Sequence, residues 1–135
     1  MRKKICIIAA NYYPEITKNL LKGAVFILKN NGIKNHKEIL VPGVFEIPVI
    51  ISRKINKFDA FIVIGCVIKG KTNHFDLICK STTESIMNLS VNNKKPIGNG
   101  IISCFNKRQA TERSGMNKKN KGKEAAKAIL SVLEI

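Results

Sequence analysis

The chain has 135 residues, a hydrophobic fraction of 44%, and 24 Lys and Arg against 9 Asp and Glu, for a formal net charge of +15. That length holds one domain with a real core and is too short for two; the composition excludes a disordered chain, and no apolar run reaches the span of a bilayer. Nor does the charge make it a nucleic-acid binder: Lys (20), Asn (14) and Ile (21) supply 55 of the 135 residues, a set with AT-rich codons, and 6% aromatics offer little for base stacking.

MRKKICIIAA places charges before an apolar run, as a secretory leader does, but the run ends at Ala10 and is short for a leader core. It reads as a first strand, KKICIIAA, and places the protein in the cytoplasm. PEITKNLLKGAVFILKNNG spaces Ile16, Leu20, Ala24 and Ile27 at helical intervals, with Pro14 opening and Gly32 closing the helix. KEILVPG is the second strand. FEIPVIISRKIN reads as a helix that tolerates Pro48 in its first turns. FDAFIVIGCVI, apolar throughout, reads as a strand buried on both faces.

A helix is expected from about Asn73 to Asn92, with Asn73 as its cap. PIGNGIISC reads as a fourth, weaker strand. A short helix from Asn106 to Arg113 and a polar break precede a last helix carrying Ala125, Ala126, Ile129, Leu130 and Leu133 on one side. This β-α-β-α order predicts an α/β protein of residues 1–135: one domain, a four-stranded parallel sheet between two helical layers in a three-layer αβα sandwich, with right-handed crossovers. Such sheets bind ligands beyond the carboxyl ends of their strands. The places to search are therefore Asn11 to Tyr13, Pro42 to Glu46, Lys69 to His74, and Cys104-Phe105.

GCVIKGKT, Gly65 through Thr72, satisfies the G-x-x-x-x-G-K-[ST] pattern of nucleotide-binding loops. In such a loop the four variable residues wrap the phosphates. Here they are Cys66, Val67, Ile68 and Lys69, and the β-branched pair continues FIVIG as strand. Only Gly70-Lys71-Thr72 is left as loop, too short for a triphosphate, and PIGNGIISC ends in no carboxylate for Mg²⁺. One phosphate suits the turn, because the N–H groups opening the following helix point partial positive charge at the cleft. His74 stands at that helix start, where an imidazole can move protons near neutral pH; His36, in NGIKNHKE, reads as a polar loop residue. The four cysteines form no C-x-x-C pair and read as reduced interior residues.

VPGVFEIP (Val41 to Pro48), GCVIKGKTNHFD (Gly65 to Asp76), QATERSG (Gln109 to Gly115) and NKGKEAA (Asn120 to Ala126), with NYYPEIT (Asn11 to Thr17) upstream, resemble the 6,7-dimethyl-8-ribityllumazine synthase family. The resemblance runs through essentially the whole chain in order. It implies a flavodoxin-like fold and an enzyme of riboflavin biosynthesis that condenses 5-amino-6-(ribitylamino)uracil with 3,4-dihydroxy-2-butanone 4-phosphate, with no metal and no redox cofactor.

Carried onto this chain, the resemblance sets Tyr12 against the pyrimidine, an apt place for a ring that stacks on a flat heteroaromatic. Val44, Phe45 and Glu46 match the turn holding the ribityl chain and uracil edge, and Val67 and Ile68 the substrate-facing end of the third strand. Lys71 and Thr72 match the phosphate turn, His74 the proton-transfer residue, and Arg113 the guanidinium that grips the phosphate bidentately from a neighbouring subunit. Lys121 matches the lysine near the same cleft. Asn99 stands where the family commonly has phenylalanine, altering one apolar wall; Lys69 and Asn11 each replace a common arginine. The resemblance further implies a homo-oligomer with sites at subunit interfaces and a riboflavin synthase partner. A ring of five is the family minimum; the missing insertion in SGMNKKNKG suits a shell of sixty, while little N-terminal arm precedes the first strand.

Overall fold

The computed structural model describes residues 3–135. Its strands are β1 (Ile5–Ala10), β2 (Lys37–Val41), β3 (Ala60–Ile68) and β4 (Ile97–Cys104), and its helices α1 (Pro14–Asn30), α2 (Ile47–Lys54), α3 (His74–Asn93), α4 (Lys107–Ser114) and α5 (Lys121–Leu133). All strand pairs are parallel, in the order β2-β1-β3-β4. The chain thus steps outward from β1 to β2, then back across β1 to β3 and β4. The gap between the ends of β1 and β3 is the point where the winding reverses, which is where ligands settle in a flavodoxin-like sheet.

Alternation along the strands assigns the two faces. Ile5, Ile7 and Ala9 of β1, with Ile62 and Ile64 of β3, pack under α1 and α5 against Leu20, Ala24, Leu28, Ala126 and Ile129. Their neighbours Cys6, Ile8 and Ala10, with Phe61 and Val63, face α2 and α3 through Ile47, Ile51 and Ile86. Both faces of the central strands β1 and β3 are therefore dry along most of their length, as in buried parallel sheets, while the edge strand β2 is mostly exposed. Each fully buried Ile or Leu contributes roughly 1.5–3 kcal/mol of transfer free energy, so the central pair β1 and β3 is the most strongly held part of the sheet. Among the described residues no helix is long and apolar enough to cross a membrane.

Several boundaries and contacts differ from the sequence reading. The helix expected from Phe45 begins later: Val44–Glu46 forms a 3₁₀ turn and α2 follows from Ile47, with Pro48 in its first turn. Gly32 ends α1 as expected, at φ 82°, and its N–H donates to the Lys29 carbonyl, a left-handed position that glycine takes without strain. Asn73 stands at the cap of α3 but its side chain accepts no hydrogen bond there. Thr72 does that work instead, its Oγ1 accepting from the His74 N–H at 3.3 Å. His36 is not a freely solvated loop residue; its ring is half-buried and pairs through Nε2 with Glu38. Cys6, Cys66 and Cys104 are interior, but Cys79 is only half-buried, with Sγ 3.2 Å from Ser103 Oγ.

Candidate active site

At the carboxyl ends of β1, β2 and β3 a cavity of about 640 Å³ opens, lined by Tyr12, Tyr13, Pro42 to Glu46, Cys66 to Ile68, His74 and Ile78. Three turns build it. The backbone leaving β1 carries Tyr12, exposed, with its ring edge-on to Tyr13 at 5.0 Å between centroids. Thr17 anchors this turn by donating its hydroxyl to the Ala10 carbonyl at 2.6 Å in the interior, so the tyrosines sit on a fixed backbone.

The 3₁₀ turn after β2 buries Val44 and leaves Phe45 64% exposed. A short turn of this kind points successive side chains to different sides. One residue thus anchors in the core while the next offers its ring. Glu46 closes the turn, its N–H donating to the Gly43 carbonyl at 3.2 Å, and its half-buried carboxylate curls back beside Gly43. It is the sole acidic residue lining the cavity, and its acceptor-only oxygens suit hydroxyl and N–H donors of a ligand.

β3 supplies the floor. Cys66 is buried, Val67 and Ile68 are half-buried, and the strand runs on to Ile68, so the pattern GCVIKGKT is mostly sheet. Its Lys69 N–H donates to the Cys104 carbonyl at 2.8 Å, which extends the pairing with β4 one residue further. The loop proper is the exposed run Gly70 to Asn73, ending where α3 begins with His74. Lys71 and Thr72 ride on this turn between Ile68 and His74, both of which line the cavity. The N-terminus of α3 starts at this turn, and the partial positive charge of a helix N-terminus favours an anion beside it.

The Cys66 thiol and the Tyr13 phenol are neutral near pH 7. Burial, and then the neighbouring Cys104 thiol, push Cys66 up to about 12; burial raises Tyr13 as well. Cys66 is thus a packing group and not a nucleophile. Among the described residues no three His, Cys, Asp or Glu side chains gather as a metal-holding group.

The cavity of one chain brings together seven of the residues picked from sequence: Tyr12, Val44, Phe45, Glu46, Val67, Ile68 and His74. Five others do not line it: Lys71 and Thr72 ride on the exposed loop beside it, and three lie elsewhere. Arg113, exposed near the end of α4, folds over the end of β4, its Nη1 donating to the Ser103 carbonyl at 3.2 Å. Lys121 opens α5 and is half-buried. Asn99 lies mid-strand in β4, its Oδ1 accepting from the Ile101 N–H at 3.0 Å, and lines a different groove of about 450 Å³ between α3, β4 and α5. Cys66 and Ile78 line the cavity without having been singled out. Ile78 had a usable signal, four residues after His74 and hence on the same helix face; Cys66 had none.

Fold and cleft together define a parallel α/β protein with a cavity at the switch point of its sheet, aromatic on two sides and flanked by the exposed turn that carries Lys71. The chain matches the family described as 6,7-dimethyl-8-ribityllumazine synthase over residues 2–135. It is 38% identical over 130 residues to the 6,7-dimethyl-8-ribityllumazine synthase of Arthrobacter sp. (strain FB24), covering 95% of this chain and 81% of that protein. The enzyme of the same name from Bartonella tribocorum is 39% identical over 141 residues, covering 100% of this chain and 92% of the relative. A third, 6,7-dimethyl-8-ribityllumazine synthase 1 of Rhodopseudomonas palustris, is 38% identical over 98% of this chain and 85% of its own. The chain belongs to the 6,7-dimethyl-8-ribityllumazine synthase family, transferase-type enzymes of riboflavin biosynthesis.

Proposed function

We propose that this chain condenses 5-amino-6-(ribitylamino)uracil with 3,4-dihydroxy-2-butanone 4-phosphate to give 6,7-dimethyl-8-ribityllumazine, phosphate and two waters. The observation that carries the reading is the cavity itself, in which Tyr12, Phe45, Glu46 and His74 converge at the sheet's switch point beside the basic turn of Lys71 and Thr72. The pyrimidine stacks against Tyr12, and Glu46 accepts from the ribityl hydroxyls and the uracil edge. Val44, Phe45, Val67 and Ile68 supply the apolar walls.

The chemistry follows from that placement. The primary amine of the uracil attacks the ketone carbon, and loss of one water leaves an imine. Loss of the C3 proton, beside the imine carbon, expels the phosphate from C4 and gives an enol, which becomes a ketone at C3. The ribitylamino nitrogen attacks that carbonyl, and the second water leaves as the ring closes. His74 moves protons between these steps, while Lys71, Thr72 and the helix N-terminus hold the departing phosphate. Most of the acceleration comes from keeping two reactants in register.

Arg113 and Lys121 point to an assembly. Neither lines its own chain's cavity, so Arg113 serves the phosphate of an adjacent subunit, Lys121 stands near that same cleft, and Asn99 forms part of a neighbour's wall. Leu77, Met87 and Val91 of α3, each 60% or more exposed, give an apolar helix face for another copy to cover. The assembly is a ring of five, the family's minimum, with a shell of sixty as its larger form and riboflavin synthase as a partner. Residues 1–135 act as one cytoplasmic domain and use neither metal nor cofactor.

Mixing the two substrates with purified protein and following the lumazine absorbance and released phosphate tests the activity. Equimolar product and phosphate are expected. No product, where a relative with this activity works in parallel, refutes the reading.

A further inference from the structure

The side-chain amide of Asn120 joins three separate parts of the molecule. It is 2% exposed. Its Nδ2 donates to the Ser114 carbonyl at 2.7 Å, at the end of α4, and to the Asn19 carbonyl of α1 at 3.0 Å. Its Oδ1 accepts from the Lys123 N–H at 3.0 Å and so caps α5. Both donors and one acceptor site are in use, which orients the amide uniquely. Space around it is equally constrained, since a Cβ on Gly23 would stand 2.2 Å from Oδ1.

Arg113 immediately precedes Ser114, and Lys121 immediately follows Asn120. One buried amide therefore sets the relation between the two helix ends that carry these cations. A plain N-cap would need only the oxygen; the two bonds from Nδ2 to carbonyls on other helices are what tie α4 to α5. The rest of the connection between α4 and α5 is a half-buried or exposed run, Gly115 to Lys119, whose tie to α5 is the Met116 carbonyl accepting from Lys123 Nζ at 3.1 Å.

We infer that Asn120 is a positioning residue for the phosphate-bearing substrate: its amide ties the end of α4 that carries Arg113 to α1 and α5, and so fixes where the guanidinium reaches the phosphate. This rests on the proposed role of Arg113. Displacing a bidentate group by about an ångström lowers binding steeply, so the effect falls on one substrate and not the other.

Asn120→Asp keeps the shape and the cap of α5 but sets carboxylate oxygens against two carbonyls. Asn120→Ser keeps a capping oxygen and loses the reach. In folded oligomer, each is expected to raise KM for the sugar phosphate about tenfold and leave KM for the ribitylaminouracil within about twofold. A purely structural asparagine would lower the melting temperature and leave both KM values alone, which overturns the inference. Arg113→Ala separates the two levels. If it does not raise KM for the sugar phosphate, the parent reading of Arg113 fails; if it does and the Asn120 variants do not, this inference alone fails. Should neither Asn120 variant fold, the wild-type oligomer carries the test. Saturating inorganic phosphate, with its binding verified by calorimetry, is expected to slow hydrogen exchange at the Lys123 amide, and an unchanged rate contradicts the inference.

Discussion

Gly65 and Val44 meet across the gap between β3 and the 3₁₀ turn: a Cβ on Gly65 would stand 2.6 Å from Cγ1 of Val44 and 3.1 Å from Cβ of Ala10. The first glycine of the nucleotide-loop pattern is thus a contact point inside the sheet, and its bare backbone lets Val44 seat the turn that presents Phe45 and Glu46. Gly65→Ala is expected to cost about 1–3 kcal/mol as an overpacked core position. It should also raise KM for the ribitylaminouracil more than for the sugar phosphate, because the displaced turn holds the former. Chemical denaturation and steady-state kinetics measure the two effects.

His74 lies at the rim of the cavity, exposed and on the first residue of α3. A proton-transfer group placed there assists steps that solvent can also reach. His74→Ala is expected to lower kcat by about 10–100-fold, around the lower end of what acid–base residues contribute, with both KM values nearly unchanged. A loss far beyond that range, or none, contradicts the role.

The guanidinium of Arg113 is held by the Ser103 carbonyl, at the end of the edge strand β4 and outside the lining of its own cleft. Lysine at this position keeps the charge and loses the planar fork. Arg113→Lys is expected to raise KM for the sugar phosphate about tenfold while binding of a ribitylaminopyrimidine analogue, measured by calorimetry, stays the same.

Burial pushes the Cys6 thiol up to about 11, against the opposing pull of Lys54 and Lys37. In the unfolded chain this thiol ionises near 9.0, so between these values the folded state binds more protons and stability falls as pH rises. The contribution is full below pH 9 and is lost through about pH 11. Compared with Cys6→Ala, the wild type should therefore lose on the order of 1 kcal/mol of its advantage between about pH 8 and about pH 10.5. A pH-independent gap in denaturant unfolding contradicts this.

The layers of the fold were legible because burial imposes period. Ile16, Leu20, Ala24 and Ile27 repeat at helical spacing and do pack under the sheet, and FIVIGCVI reads as a doubly buried strand because it is one. What sequence did not reveal depends on contacts between distant residues. Asn73 has a capping side chain and does not use it, since Thr72 already satisfies the His74 N–H. Phe45 reads as the start of a helix, yet Val44 anchors in the core against Gly65 and winds the turn more tightly. The burial of His36 beside Glu38 and the place of Cys66 in the cavity wall likewise have no local signature. The cleft was found from the strand ends, but the separation of Arg113, Lys121 and Asn99 from it required the assembled sheet.

The central claim is that each cleft is completed by a neighbouring chain, and subunit mixing tests it most directly. A Glu46→Ala, His74→Ala double variant disables the cleft, and Arg113→Ala disables the donor. Co-refolded in equal amounts, random assembly leaves about a quarter of the sites with an intact cleft beside an intact neighbour. The account predicts activity near that fraction of wild type, well above either parent alone. Activity no greater than the mean of the two parents would show that Arg113 serves its own chain, and the shared site would be wrong.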